Sequence, residues 1–328
     1  MPAIEVLDLV KDFGPRRAVD RVSFSVERGE IVGFLGPNGA GKTTTLRILT
    51  CFMPATSGRA TVAGFDIFTE SMDVRRNIGY LPENVPLYLE MRVADYLWMR
   101  AGLKEVPFRE RPARIRRALD SARIGDVADR VIGHLSKGYR QRVGLADVLT
   151  HDPAILILDE PTVGLDPNQV REVRDLIKEL GRDRTILFST HIIPWVEEVC
   201  QRALVIARGK VVAEGPVSDL ATRLRDSTLL SVRARVPFGA LAAAARTVAG
   251  VRAIENLTLD GRGESHLRCL VDGGAVEAAR AALAAAAGEG AGEVGSEPPG
   301  LEDFFHEVTR GLSAQESEAE GESGEAAA

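Results

Sequence analysis

The sequence is poor in cysteine and has no long apolar run. Its three cysteines, Cys51, Cys200 and Cys269, lie far apart and form no Cys-x-x-Cys pair. This spacing argues against a disulfide framework and against a zinc site. No window reaches the ~18 uninterrupted apolar residues of a membrane span, and the first residues, MPAIEVLDLVKDFG, lack the pattern of a secretory signal. We therefore expect a protein of a reducing compartment, and any membrane spans that it works with would belong to another polypeptide.

The sequence also lacks a clustered basic face. The formal net charge is −6, and residues 313–328 hold five glutamates and no basic residue. Most of the net charge is therefore expected in a solvated, disordered acidic tail. Because a nucleic-acid footprint would be a clustered basic surface, we expect no nucleic-acid partner.

What the sequence does contain is an alternation of helices with short, continuously apolar strands. The first 80 residues are typical of short strands with tight turns, and apolar residues recur at helical spacing over residues 86–147. The runs AILILD and TILFST are typical of strands buried on both faces of a parallel sheet. The pattern predicts an α/β fold with a parallel core sheet.

The pattern changes after Gly215. Residues 221–312 predict the order β-α-β-β-α-β of a ferredoxin-like unit, with a weak last strand near Glu293. We expect a first domain over residues 1–220, with a helical subdomain over about 86–147, and a small α+β accessory domain over 221–312. The acidic tail, 313–328, follows.

A glycine-rich loop carries the first chemical signal. Gly36 to Thr43, GPNGAGKT, match G-x-x-x-x-G-K-[ST] between an apolar strand and a helix. Glycines let successive N–H groups turn toward phosphate oxygens, and the positive end of the following helix faces the same phosphates. Lys42 can then reach the β- and γ-phosphates of ATP, and the Thr43 hydroxyl can ligate Mg²⁺. The motif predicts a P-loop NTPase without deciding which one.

Two carboxylates follow a predicted buried strand. Asp159 and Glu160 end the run ILILDE, at the edge where ligands of open α/β sheets bind. Asp159 is predicted to hold Mg²⁺, directly or through water, and Glu160 to polarise a water near the γ-phosphate. Taken alone, the pair can also be a polar strand end; beside a P-loop the chemical interpretation is favoured.

With these motifs in this order, residues 1–220 resemble the ATPase subunit of an ABC transporter. The resemblance implies an ABC ATPase fold and assigns LSKGYRQ as the signature motif, GLD at 164–166 as the D-loop and His191 as the switch histidine. It implies that Phe13 stacks on adenine and that Glu83 takes the Q-loop position. The other histidines, His134, His151, His266 and His306, are expected at surface or capping positions.

The implied site residues fall into three groups. The catalytic residues are Lys42, Glu160 and His191. The Mg²⁺ ligands are Thr43, Asp159 and Glu83. The ATP-binding residues are Phe13, Gly36, Pro37, Asn38, Gly39, Ala40, Gly41, Lys42, Thr43, Thr44, Glu83, Ser136, Gly138 and Asp166.

The same resemblance explains the basic helix start in HLSKGYRQRVGLADVL. In this family two ATPase domains pack head to tail, and the signature helix of one caps the γ-phosphate held by the other. Ser136 and the Gly138 backbone are then the expected donors. For Arg140 and Arg142, a solvated helix face and a nucleotide contact remain equally open. The family usually has glutamine where Glu83 stands, which puts the effect of this carboxylate in question.

The resemblance implies a function in export. Lys137 and Tyr139, where the family usually has glycine and glutamine, are similar to the residues of ATPases paired with ABC-2 type permeases. This implies a homodimeric ATPase that powers an ABC-2 type exporter and lies in the cytoplasm, on the inner face of the membrane, through a separate permease.

An alternative is a soluble ABC ATPase acting on nucleic acid or ribosomes. The 93 residues between Lys42 and Ser136 leave no room for a DNA-repair coiled coil, and the chain has one P-loop rather than two. A non-catalytic scaffold is disfavoured, because the three predicted catalytic residues are present.

Overall fold

The computed structural model of the chain describes residues 1–222, 224, 226–257, 264–288 and 294–309. The chain forms two compact units, Met1–Pro216 and a second unit that begins at Val217. The predicted acidic tail, 313–328, lies outside the described residues. None of the described helices has both the length and the apolar character that crossing a bilayer requires.

The first unit contains two sheets and seven α-helices. Its strands are β1 (Ile4–Phe13), β2 (Arg16–Val26), β3 (Ile31–Leu35), β4 (Ser57–Val62), β5 (Phe65–Asp66), β6 (Ile78–Leu81), β7 (Ile155–Asp159), β8 (Thr185–Thr190), β9 (Arg202–Ala207) and β10 (Lys210–Pro216). Its helices are α1 (Lys42–Leu49), α2 (Ser71–Asn77), α3 (Val93–Leu103), α4 (Arg111–Ser121), α5 (Lys137–Leu149), α6 (Pro167–Leu180) and α7 (Ile193–Val199). Two 3₁₀ turns, Gly125–Val127 and Ile132–His134, precede α5.

The two sheets of the first unit have different pairing. One is antiparallel, in the order β2-β1-β4-β5. The other has the order β10-β9-β3-β8-β7-β6 and is parallel except for β10, which pairs antiparallel with β9. The predicted α/β fold with a parallel core sheet is confirmed.

The parallel sheet lies between two apolar layers, as its composition predicts. Every residue of β3, β7 and β8 is buried. Along β7, Leu156 and Leu158 pack with the helices α3 to α6, whereas Ile155 and Ile157 pack toward α1 and the antiparallel sheet. Because side chains alternate along a strand, a continuously apolar run serves both layers at once. The carboxyl ends of these strands therefore lie at a rigid, fully packed edge.

One element differs from the sequence-based expectation of strands and turns over the first 80 residues. Ser71–Asn77 form helix α2, and the short strand β6 joins the parallel sheet beside β7. A four-residue strand offers too few positions to show a period, and its place at the sheet edge is set by contacts with β7, about 75 residues later along the chain.

The second unit has a smaller antiparallel sheet. Its described elements are α8 (Val217–Thr222), β11 (Ser227–Ala234), α9 (Phe238–Arg246), β12 (Val251–Asn256), β13 (Ser265–Asp272), α10 (Val276–Ala287), β14 (Gly295–Glu297) and a final helix over residues 301–309. The strand order is β12-β13-β11-β14, with all pairs antiparallel. From β11 to β14 the chain follows the predicted β-α-β-β-α-β order of a ferredoxin-like unit.

Candidate active site

The glycine-rich loop joins the end of β3 to the start of α1 in a backbone conformation that requires glycine. Gly41 has φ +106°, in the left-handed region, and a Cβ there would lie 2.5 Å from the Ala18 carbonyl oxygen. A Cβ on Gly36 would overlap the Ile206 carbonyl oxygen. Since the first N–H groups of α1 have no partners within the helix, the loop and helix start together can bind an anion.

Lys42, the first residue of α1, points back into this loop. Its side chain is buried, and its ammonium donates to the carbonyl oxygens of Gly36 at 2.7 Å and Pro37 at 3.2 Å. Glu160 Oε1 lies 3.3 Å from the same nitrogen. The loop therefore presents a positively charged group that is held in place from three sides.

A cleft of about 460 Å³ opens over the loop. It brings together most of the predicted ATP-binding residues with Glu160, and it adds Arg16 and Ala18, which the sequence did not indicate. The lining residues are Phe13, Arg16, Ala18, Pro37, Asn38, Gly39, Ala40, Gly41, Lys42, Thr43, Thr44, Glu83 and Glu160. Phe13 is about half exposed at this surface, so its ring is available for stacking on a planar ligand.

Asp159, at the last position of β7, does not line the cleft but contacts Thr43, which does. Its Oδ1 accepts hydrogen bonds from the hydroxyls of Ser189, at 2.7 Å, and Thr43, at 3.1 Å. Its Oδ2 is buried and accepts no hydrogen bond from the described residues. Burial raises the pKa of this carboxyl, and the two hydroxyls oppose the shift. A buried oxygen without a donor is a position where a cation can bind.

Glu160 is held by three neighbours in an uncommon conformation. Its φ is +46°, in the left-handed region, although it is not glycine. Its backbone N–H donates to Ser189 Oγ at 2.9 Å, and its carboxylate lies between Lys42 and His191, with His191 Nδ1 3.0 Å from Oε2. Non-glycine residues in such conformations persist where the surroundings fix them, and they cluster at functional sites.

Ser189 connects the two carboxylates, and it was missed by the sequence analysis. Its hydroxyl donates to Asp159 and accepts from the Glu160 N–H. The available signal was a hydroxyl residue inside the otherwise apolar run TILFST, just before His191. A polar side chain in a fully buried strand needs a partner, but the sequence does not name that partner.

Three predicted residues lie away from the cleft of their own chain. Ser136 caps the N-terminus of α5, where its hydroxyl accepts from the Tyr139 N–H at 3.4 Å. Asp166 caps α6 and accepts from the N–H groups of Asn168 and Gln169, both at 3.0 Å. Gly138 follows Ser136 in the first turn of α5. None of the three lines the cleft.

The basic residues around the start of α5 have different environments. Arg142 forms an ion pair with Glu172 on α6, and its side chain is 13% exposed. It therefore joins α5 to α6, which is neither of the two roles left open for it. A Cβ on Gly164 would overlap the Lys137 ammonium, so Lys137 lies against the D-loop of its own chain.

Comparison with known proteins places this arrangement in a family. The profile of the ABC transporter family matches residues 19–163. An uncharacterized ABC transporter ATP-binding protein of Methanocaldococcus jannaschii is 39% identical over 224 residues, which are 68% of this chain and 81% of that protein. The bacitracin transport ATP-binding protein BcrA of Bacillus licheniformis is 36% identical over 224 residues, which are 68% of this chain and 72% of that protein.

Solved structures show the same relationship. One is a dimeric, post-hydrolysis ATP-binding cassette bound to ADP and Pi, which superposes with a TM-score of 0.59 at 25% identity and covers 65% of this chain and 98% of that one. Together with the P-loop, the buried carboxylate pair and the histidine in contact with Glu160, these similarities identify the protein. The chain belongs to the ABC transporter family, as an ATP-binding subunit that hydrolyses ATP.

Proposed function

We propose that ATP binds in the 460 Å³ cleft and is hydrolysed there by Glu160. The observation that carries this proposal is the position of the Glu160 carboxylate, which lies within 3.3 Å of both Lys42 and His191 at the mouth of a phosphate-binding loop. Phe13 would stack on the adenine, and the N–H groups of the loop would hold the phosphates. Lys42 would leave its carbonyl partners to contact the β- and γ-phosphates.

Residues in and beside the cleft fit a Mg²⁺ ion. Asp159 offers a buried carboxylate oxygen without a donor, and Thr43 offers a hydroxyl already in contact with the same carboxylate. Glu83 provides a second carboxylate on the cleft wall. Among the described residues, no group of three or more His, Cys, Asp or Glu side chains has an arrangement that could hold a metal ion by itself. This agrees with Mg²⁺, which is bound through one or two carboxylates together with substrate phosphates. When bound, Mg²⁺ neutralises charge that develops on the phosphates.

Glu160 would act as the general base. Its carboxylate would accept a proton from a water that attacks the γ-phosphate, while the His191 ring, donating from Nδ1 to Oε2, would keep the carboxylate in line. The left-handed backbone at Glu160, fixed by the hydrogen bond to Ser189, places the side chain beside the loop instead of continuing the direction of β7. Asp159 and Glu160 thus have separate roles, one for the cation and one for the water.

A second copy of the chain would complete the site. Ser136, Gly138 and Asp166 lie at two helix starts outside their own cleft, and a helix start is a favourable binding site for a phosphate. The similarity to a dimeric cassette supports the same geometry. In a head-to-tail dimer, Ser136 and the Gly138 backbone of one copy would cap the γ-phosphate held by Lys42 of the other.

A membrane permease on a separate chain is the proposed partner. A groove of about 600 Å³ lies beside α2 and α3 and exposes three large apolar side chains, Phe52, Met72 and Leu103. Arg75 and Arg76 of α2 also line it. A short cytoplasmic helix of a permease would cover these apolar side chains. The bacitracin-transport relative supports an ABC-2 type exporter, with this subunit on the cytoplasmic face of the membrane.

Co-purification from the native cell tests this proposal. We expect the tagged full-length chain to sediment with membranes and to retain a polypeptide with several membrane spans through detergent extraction. Leu103→Asp should abolish this retention without changing ATP binding. Leu7→Asp is the matched control, because Leu7 is also an exposed leucine, at 52% against 69% for Leu103, but lies on β1 and does not line the groove. A wild-type chain without a membrane partner, or equal effects of the two variants, would contradict the proposal.

A further inference from the structure

Arg16 is a cation of the cleft that the sequence motifs do not include. Its side chain lines the cleft, and its Nη2 lies 3.8 Å from the position that a Gly39 Cβ would occupy. We propose that the Arg16 guanidinium binds a phosphate oxygen of the bound nucleotide. This makes Arg16 a further phosphate-binding residue, and the inference rests on the nucleotide site proposed above.

Arg17, the next residue along the chain, shows that the orientation of the Arg16 side chain toward the cleft is specific. Successive side chains of a strand point to opposite faces, and Arg16 and Arg17 are the first two residues of β2. Arg17 donates from Nε to Asp12 at 2.8 Å and from Nη1 to Asp20 at 3.2 Å. Arg17 is therefore neutralised within the antiparallel sheet, and only Arg16 faces the loop.

Arg16 has no acidic partner of its own. Its side chain forms neither a hydrogen bond nor an ion pair with any described residue. Lys42, the other cation of the cleft, is already held by two carbonyl oxygens and Glu160. An unpaired guanidinium beside a phosphate loop has most to gain from an incoming anion, since the planar fork of arginine matches the geometry of phosphate oxygens.

The charge of the cleft leads to the same conclusion. Its ionisable side chains are Arg16, Lys42, Glu83 and Glu160, two positive and two negative. A nucleoside triphosphate adds several negative charges to this balanced set, and Glu83 stands where the related ATPases usually have a neutral glutamine. Arg16 supplies a positive charge that is not cancelled inside the protein. The ligand class is therefore nucleoside di- and triphosphates, bound with Arg16 between Phe13 and the Gly39 end of the loop.

Binding and turnover of the purified full-length protein test this inference. Arg16→Ala should raise the Kd for ATP about tenfold, as expected for one lost charge-assisted hydrogen bond. The Kd of Arg16→Lys for ATP should lie between those of Arg16→Ala and the wild type, because lysine keeps the positive charge but lacks the planar guanidinium. The kcat of Arg16→Ala should equal that of the wild type, since a contact made equally in the ground and transition states changes KM alone. Because Arg16 is exposed, higher salt should reduce the difference in the Kd for ATP between Arg16→Ala and the wild type.

Two controls separate the possible failures. Arg17→Ala is matched in charge and sequence position and should leave the Kd for ATP unchanged, while Lys42→Ala should abolish tight binding. If Lys42→Ala loses binding but Arg16→Ala matches Arg17→Ala within twofold, or lowers kcat without changing Kd, the role of Arg16 is wrong and the site stands. If Lys42→Ala binds ATP normally, the proposed site itself is wrong, and the Arg16 inference fails with it. Thermal unfolding without nucleotide verifies that the variants are folded.

Discussion

At the scale of single residues, Glu160 adopts an unfavourable backbone conformation that places its carboxylate beside Lys42 of the phosphate loop. A non-glycine residue in the left-handed region costs about 1–3 kcal/mol, and Glu160 adopts it at the end of a fully buried strand. The hydrogen bond from its N–H to Ser189 and the ion pair with Lys42 hold it there. A residue in ordinary extended conformation at this position would direct its side chain elsewhere, away from the phosphate loop.

His151, for which the sequence predicted a surface or capping position, provides a second example at this scale, because its side chain is half-buried. Its Nε2 lies 2.8 Å from the Ile78 carbonyl oxygen. Burial, together with the nearby Lys104, lowers the pKa of His151 to about 4. Since the pKa of an unfolded-state histidine is about 6.5, acid protonates the unfolded chain first. The stability that a neutral His151 provides is present above pH 6.5 and is lost as the pH falls toward 4.

We therefore predict that the free energy of unfolding of the first unit falls by about 2 kcal/mol between pH 7 and pH 5 through this group. Urea unfolding followed by tryptophan fluorescence measures it, because both tryptophans, Trp98 and Trp195, belong to the first unit. His151→Gln keeps a donor for the Ile78 carbonyl oxygen but does not titrate, so its stability should change less over this range. The same pH dependence in both proteins would rule out His151 as the source.

At the scale of elements, a buried carboxylate joins α3 to α5, the helix that begins with the signature motif. Asp147 on α5 accepts from Arg100 Nε at 3.0 Å and lies 2.9 Å from the ammonium of Lys104. Burial alone would raise the pKa of Asp147, but Lys104 and Arg100 outweigh it and lower this pKa. A single carboxylate is shared by two cations, so the contact is most sensitive to the loss of Asp147.

Asp147→Ala should lower the free energy of unfolding of the first unit by about 3 kcal/mol, because it leaves two cations without their buried partner. Adding Lys104→Met should recover part of this loss. Glu179→Ala is the control, since its carboxylate pairs with Arg123 at 2.8 Å on the surface and should contribute less than about 1 kcal/mol. Equal destabilisation by Asp147→Ala and Glu179→Ala in urea unfolding would show that the α3–α5 contact stabilises the first unit no more than a surface ion pair does.

The elements also show what the sequence can and cannot predict. Strands β7 and β8 could be predicted because each is a short, mostly apolar run, such as ILILD in β7. Helix α3 could be predicted because the apolar residues of VADYLWMRAGL recur at helical spacing. Helix α2 was not, since SMDVRRN contributes a single buried residue, Val74. Within the site, the phosphate loop is contiguous in sequence and was found from its motif. The roles of Ser189 and Arg16 depend on contacts with residues 30 and 23 positions away, which no local pattern encodes.

At the scale of the whole molecule, the chain divides after Pro216, which ends the pairing of β10 with β9. Every residue proposed for nucleotide binding or hydrolysis lies before this division. We predict that a protein of residues 1–216 folds and binds ATP with the Kd of the full chain, and that the second unit is needed only for regulation or for pairing with the permease. Circular dichroism and calorimetric titration test this. A shortened protein that is folded but does not bind ATP would show that the second unit takes part in the site.

The central claim is that the ATPase site is shared between two copies. Glu160→Gln removes the general base and should slow hydrolysis by about 10²–10⁴-fold. Binding should survive, since Lys42, Thr43 and Asp159 are unchanged. Bound ATP should then keep Ser136 and Gly138 of one copy on the phosphate loop of the other. Glu160→Gln should consequently be a stable dimer in ATP and Mg²⁺ and a monomer without nucleotide.

Size-exclusion chromatography with light scattering on Glu160→Gln is the most direct test. With ATP and Mg²⁺ we predict twice the mass of the 35.4 kDa chain, and without nucleotide the mass of one chain. Adding Ser136→Arg, which places a bulky side chain at the helix start that caps the γ-phosphate, should return the protein to a monomer in ATP and Mg²⁺. A Glu160→Gln protein that binds ATP yet stays monomeric at high concentration would contradict the shared site.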